Sequence, residues 1–258
     1  MRTILLITDF GERDYYVGAL KGVILSINPE ARIVDITHEV MPFHPISAAY
    51  ILMGVMNYFP RETIFLTVVD PRVGTERKII LISADGKYYI GPDNGVFAPV
   101  YQFSEMYTVY DITSDHLFLP NPSRTFEARD KMAPIAAWLS RGIPIERIGE
   151  PTEDYRRFRL PQPKLQGNIL NGIVIHIDRF GNLALNIRPE DLGGRNISFA
   201  IIKDLRVSKK VNTFDELAKD ELGILINSMG FFEIGAKMRS AKDILKVGIG
   251  DPVQLVLV

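Results

Sequence analysis

The sequence contains no cysteine. That excludes a disulfide framework, a thiolate nucleophile and any zinc or iron–sulfur site held by sulfur. Histidine is also scarce. His38, His44, His116 and His176 are the four present, and none is spaced like a metal-binding pair. Charge of either sign is not in excess: 30 Lys and Arg face 31 Asp and Glu, for a net charge of −1. The polybasic footprint of a nucleic-acid partner is therefore missing. No apolar run approaches the ~20 residues of a membrane span. The N-terminus offers about five apolar residues before Thr8-Asp9, too few for a signal-peptide core. Together these absences fit a cytoplasmic location. The G-x-G-x-x-G of a dinucleotide-binding turn does not follow the first strand either.

What is present supports a sizeable core, since 47% of the 258 residues are hydrophobic. The first half alternates strand and helix patterns. Strands are predicted at Thr3–Thr8, Arg32–Ile36 and Ile64–Val69. Helices are predicted at Tyr16–Ile27, Pro45–Tyr58, Val96–Phe103 and Asp130–Leu139. Strands separated by such helices imply right-handed crossovers and a mainly parallel sheet. Lys78–Ser83 and Lys87–Ile90 flank Asp85-Gly86, a hairpin signal. Glu150–Gln166 carries three prolines among clustered charges and reads as a connection. Beyond Gly167 short strands dominate, at Ile169–Ile177, Leu183–Ile187, Ser198–Ile202, Leu222–Ile226, Phe231–Ile234 and Val253–Val258. Only Asp215–Lys219 and Ala241–Leu245 look helical there. The reading is an α/β domain over residues 1–160 followed by a smaller β-barrel domain over 167–258.

The first and third strands stop at carboxylates. Ile4–Thr8 ends at Asp9, and Phe65–Val69 ends at Asp70, with Arg77 across a short loop containing Pro71 and Gly74. In open α/β sheets the carboxyl ends of strands are where ligands bind. Asp9 either caps the next helix or accepts from two ribose hydroxyls, which an acceptor-only carboxylate suits. Asp70 and Arg77 are either a strand-end ion pair or a device that binds and polarises a nucleophile. Asn94, in the turn Pro92–Gly95, is a plain turn residue or an amide donor to a ligand. Asp178 and Asn182 sit in a turn between two strands. There they serve the hairpin, or meet an ammonium and a carboxylate group.

These residues stand among seven short motifs in one order: Thr8–Gly11, Asp35–His38, Val69–Pro71, Pro92–Gly95, Thr125-Phe126 with Arg129-Asp130, Phe180–Asn182 and Asn227-Ser228. In that order, over essentially the whole chain, the sequence resembles the S-adenosyl-L-methionine (SAM) hydroxide adenosyltransferases, relatives of the fluorinase and chlorinase. The resemblance implies an N-terminal α/β domain, a C-terminal β-barrel and a homotrimer binding SAM between neighbouring subunits. It implies attack of water or hydroxide on C5′ of SAM, giving adenosine and L-methionine, with SAM as substrate and no separate cofactor. By position, Asp9 would hold the ribose hydroxyls, Phe43 would pack on the ligand with Asp14 nearby, and Asp178, Asn182 and Ser228 would meet the methionine end, with Asn94 a further contact.

The family's catalytic set is Asp–Arg–His. Asp70 and Arg77 match the first two members, whereas Glu127 stands at the His position in Thr125-Phe126-Glu127-Ala128-Arg129-Asp130. Arg72 replaces a usual glycine. Asp70 also stands where the halogenating relatives carry tyrosine, and a carboxylate repels an incoming halide. Two carboxylates as close as Asp70 and Glu127 are expected to push one pKa up and share a proton. Either one then acts as general base beside Arg77, or hydroxide is repelled. The first outcome is a hydrolase; the second is a non-catalytic SAM- or adenosine-binding protein.

Overall fold

The apolar runs of the first half become strands that are buried on both faces. A computed structural model describes residues 2–258. Its first sheet has seven strands: β1 (Thr3–Thr8), β2 (Arg32–Thr37), β3 (Ile64–Val68), β4 (Ile79–Ala84), β5 (Lys87–Pro92), β6 (Tyr107–Ile112) and β7 (Gly149–Pro151), in the order β2-β1-β3-β5-β4-β6-β7. The ladder is parallel from β2 through β1 and β3 to β5 and antiparallel beyond. The switch comes from the Asp85-Gly86 turn, where both residues take positive φ (49° and 77°). Such a turn matches the twist of a two-residue hairpin, so β4 folds back on β5.

Helices α1 (Tyr16–Ile27), α2 (Pro45–Val55), α3 (Ala98–Phe103) and α4 (Ala133–Ser140) cover the sheet. Along β1 the side chains alternate between its faces. Ile4 and Leu6 join a core with Leu20 and Ile24 of α1 and Ile135 of α4. Leu5 and Ile7 join a second core with Ala48 and Leu52 of α2 and Val100 of α3. Residues buried on both sides explain why β1 and β3 read as unbroken apolar runs. The segment before α4 is a π turn over Ala128–Met132, closed by the Ala133 N–H on the Ala128 carbonyl. The helix expected to start at Asp130 thus begins two residues earlier with a wider turn.

In the second half, β8 (Lys164–Gln166), β9 (Ile169–Ile177), β10 (Leu183–Leu185), β11 (Ile197–Ile202), β12 (Leu205–Val207), β13 (Leu222–Ile226), β14 (Phe232–Ala236) and β15 (Pro252–Leu257) form an eight-stranded antiparallel sheet. Seven follow the order β12-β11-β15-β9-β10-β14-β13, with β8 on β9. The sheet nearly closes on itself, because Lys210, just past β12, bridges Ile224 of β13. Its interior holds Leu170, Val174, Leu185, Ile187, Ile234 and Leu255. Helix α5 (Ala241–Leu245) starts at Ser240, whose hydroxyl accepts the Asp243 N–H at 3.0 Å. The helix expected at Asp215–Lys219 is only a 3₁₀ turn, Phe214–Glu216. Glu216 reaches back to the Thr213 N–H at 3.1 Å, so the cap is present, but the backbone turns extended at Leu217 and the helix goes no further.

The chain divides into two compact units, one ending at Arg159 and the other spanning Leu160–Val258. Among the described residues no helix is long and apolar enough to cross a membrane.

Candidate active site

β1 and β3 are parallel neighbours with Thr8 opposite Val68, so both end at the same edge of the sheet. Asp9 follows one end, and Asp70 lies two residues past the other. A cavity of about 320 Å³ opens between them. Asp9, Phe43, Asp70, Val73, Phe126 and Glu127 are among its lining residues. A larger open depression of about 1030 Å³, around Arg61, Asp85 and Met106, touches none of the predicted site residues.

Arg77 ties the reaction end together. Its Nε donates to Asp70 Oδ2 at 2.7 Å, and its Nη2 pairs with both Asp70 Oδ2 and Glu127 Oε2. The guanidinium is 3% exposed and each carboxylate 6%. The Gly74 N–H also reaches Glu127 Oε2, at 3.2 Å. Gly74 has φ +76°, and a Cβ there would lie 2.3 Å from the Arg124 carbonyl. Arg124 in turn donates to the Gly74 carbonyl at 2.8 Å. The loop carrying Asp70 and Arg77 is thereby locked to the segment carrying Glu127.

The proton-sharing expected of the two carboxylates is overturned on the Glu127 side. Lys131, which the sequence reading had not marked, donates to Glu127 Oε1 at 2.6 Å. Burial works to raise the Glu127 carboxyl, but the Lys131 hydrogen bond, the Arg77 charge and the Gly74 N–H outweigh it. The group sits below its ordinary value. Two cations balance two carboxylates here, and Glu127 is ionised at neutral pH.

Asp9 is in the opposite condition. It accepts the Phe43 N–H at 2.9 Å, yet its pKa is raised, chiefly by burial and further by the charge of Asp70. Phe43 is 74% exposed and holds φ +63°. A non-glycine residue held in the left-handed region costs of order 1 kcal/mol, and such strain collects at ligand sites. An exposed aromatic ring lining the same cavity as a carboxylate in need of donors is a ready face for a ring-bearing ligand. Tyr16 and Phe126 extend the aromatic wall, their ring centroids 5.2 Å apart. No role was read for them, although Phe126 belongs to a quoted motif.

Other predicted residues lie elsewhere. Asp14 is exposed in the bend before α1 and does not line the cavity. Asn94 also stays outside it, and its Nδ2 donates to the Val69 carbonyl at 2.8 Å. That bond pins the strand end one residue before Asp70, so Asn94 is a support of the site. His38 has a similar task, joining β2 to β1 through Thr8 Oγ1 at 2.8 Å.

In the second unit, Asp178 and Asn182 are brought together. Asp178 Oδ1 accepts the Phe180 and Asn182 N–H groups at 2.9 and 2.8 Å, and Asp178 Oδ2 accepts Asn182 Nδ2 at 2.9 Å. This is the hairpin arrangement. Nearby Glu233, which had not been marked, has its pKa raised by burial first and by the charge of Asp178. Asn227 Nδ2 approaches it at 3.4 Å. Ser228 is exposed in the turn between β13 and β14. Among the described residues no three His, Asp or Glu side chains converge as metal ligands would.

Residues 4–149 match the SAM hydroxide adenosyltransferase N-terminal domain, and residues 172–254 match the C-terminal domain of the same family. An (R)-S-adenosyl-L-methionine hydrolase of Methanocaldococcus jannaschii is 34% identical, covering 98% of this chain and 95% of that protein. A fluorinase of an Actinoplanes species is 28% identical over 76% of this chain and 75% of its own. An uncharacterised conserved protein of Thermotoga maritima has a crystal structure that superposes with a TM-score of 0.88 at 34% identity, covering 98% of this chain and 99% of that one.

Proposed function

We propose that this chain, which belongs to the SAM hydroxide adenosyltransferase family, hydrolyses SAM to adenosine and L-methionine. The observation that carries the reading is the Asp70–Arg77–Glu127 network, in which Arg77 lies behind two carboxylates that line the same cavity as Asp9 and Phe43. A sulfonium leaves as a neutral thioether, so no acid has to protonate it. The site must hold one water in line with the C5′–S bond and take a proton from it as attack proceeds.

In this reading Asp9 accepts from the ribose hydroxyls and Phe43 covers the ligand. Arg77 stabilises the hydroxide character of the attacking oxygen, and Asp70 accepts its proton. The oxygen bonds to C5′, the C5′–S bond breaks, and its electron pair stays on methionine sulfur. Asp178, Asn182 and Ser228 are the proposed contacts for the methionine amino and carboxylate groups, and a homotrimer belongs to the same proposal. Halide attack is disfavoured, because an incoming anion would have to approach Asp70.

Incubation of the purified protein with SAM, followed by chromatography, tests this. The expected products are adenosine and methionine in equal amounts, unchanged by added chloride. Tight adenosine binding with no product would make the protein a binding module. A chlorinated nucleoside would make it a halogenating enzyme. Mass measurement in solution tests the trimer.

A further inference from the structure

The family's third catalytic position holds Glu127 here, and that carboxylate does not stand alone. Lys131 lies one turn on, and its Nζ meets Glu127 Oε1 at 2.6 Å. Arg77 and the Gly74 N–H occupy the other oxygen. The same Nζ lies 5.8 Å from the centre of the Phe118 ring, within cation–π range. Asp70 is differently placed. Its Oδ2 is engaged by Arg77, whereas among the described residues its Oδ1 receives one long contact, from the Arg72 N–H at 3.3 Å.

We propose that Lys131 is a positioning residue for the hydrolysis: it holds Glu127 turned onto Arg77 as a fixed charge partner, which leaves Asp70 as the carboxylate that takes the water proton. The inference rests on the hydrolase reading. It divides two carboxylates that the sequence left equivalent. A carboxylate whose two oxygens both face cationic donors is a poor proton acceptor. One with a nearly free oxygen on the cavity wall is a good one. Lys131 also makes the site electrically balanced. Without it, two carboxylates would face one guanidinium, and a hydroxide-like oxygen would approach net negative charge.

The groups facing Glu127 are Arg77 with Asp70 beyond it, Lys131 on its own turn, and the Arg129–Asp130 pair that follows. Asp9 stands at the neighbouring strand end. Arg129 and Asp130 satisfy each other at 2.6 Å, so Lys131 and Arg77 are the cations that set the state of Glu127.

The test uses the full chain with Lys131→Met and Lys131→Arg, and with Lys131→Gln should the first not fold. Carboxyl NMR follows the titration of Glu127, and kcat and KM are measured against pH. In Lys131→Met the Glu127 midpoint should move up, kcat should fall by about 10-fold or more, and KM should hold. The acid limb of the rate profile should move to higher pH. Lys131→Arg should restore both readouts. An unchanged Glu127 midpoint, or an unchanged kcat and pH profile in Lys131→Met, would overturn the proposal. If the wild-type protein releases no adenosine, the hydrolase reading and the catalytic role of Lys131 fall together. A Lys131-dependent Glu127 midpoint in that same protein would place the failure in the reaction and not in the ion pair.

Discussion

The two ends of the cavity treat their carboxylates in opposite ways. At one end, Glu127 and Asp70 share Arg77, and Lys131 completes the balance. At the other, Asp9 is half-buried with the Phe43 N–H as a donor, and among the described residues it makes no salt bridge. The first end is balanced in charge by the protein and stays ready for chemistry. The second is left short of donors, which is how a site for a polyhydroxylated ligand looks before the ligand arrives. A group that the fold leaves unsatisfied is evidence for binding, while a saturated group is evidence for preorganisation.

Removing the shared cation should break this contrast most strongly. Arg77→Met leaves two buried carboxylates facing each other, which should cost about 3–5 kcal/mol of stability together with essentially all turnover. A thermal melt and the product assay check both. Asp70→Asn tests the reaction end without unbalancing it as severely. It should lower kcat by about 10²–10⁴-fold while SAM affinity, read by calorimetry, changes little.

Asp9→Asn should act in the reverse sense on stability. A carboxyl whose folded pKa lies above its unfolded value of 3.8 stabilises the fold fully only below that value. The contribution disappears as pH rises through the folded pKa. Asparagine keeps an acceptor for the Phe43 N–H and removes the charge, so the variant should melt higher than wild type at pH 7 and equally at pH 3. It should also lose SAM affinity by about 10-fold or more, since hydrogen bonds to a charged acceptor contribute ~1.5–3 kcal/mol. Glu127 gives the opposite pH sign. Its folded pKa lies below 4.5, so its contribution is present above that value and is lost as pH falls through the folded pKa. The smallest effect expected is that of Phe43→Gly. It should gain up to about 1 kcal/mol by relieving the positive φ and weaken nucleoside binding.

Much of the site was legible because its parts are local. A strand ending in a carboxylate places that carboxylate at the sheet edge, and Arg77 is only a short loop from Asp70. The alternation of β1 and β3 with helices carried the parallel half of the sheet. Strands β6 and β7 were not read. Tyr107–Ile112 mixes polar and apolar residues on a half-buried strand next to the edge, and three residues of β7 carry no period at all. Lys131 was missed for a different reason. A lysine inside a helical segment ordinarily faces solvent, and neither the π turn nor the ion pair it makes is encoded in hydrophobic spacing. Glu233 was hidden likewise, as a lone acid in an apolar strand, and the like charge that perturbs it, Asp178, is distant in sequence. Asn94 read as a ligand contact because its amide could serve a ligand as well as the Val69 carbonyl it holds.

The most direct test of the account is the origin of the oxygen on the product. The protein should be incubated with SAM in heavy-oxygen water, and the nucleoside analysed by mass spectrometry. Water attack at C5′ predicts adenosine carrying one solvent oxygen, located on the 5′-hydroxyl, with methionine unlabelled. Label in the methionine carboxylate instead, or adenosine formed without label, would contradict it.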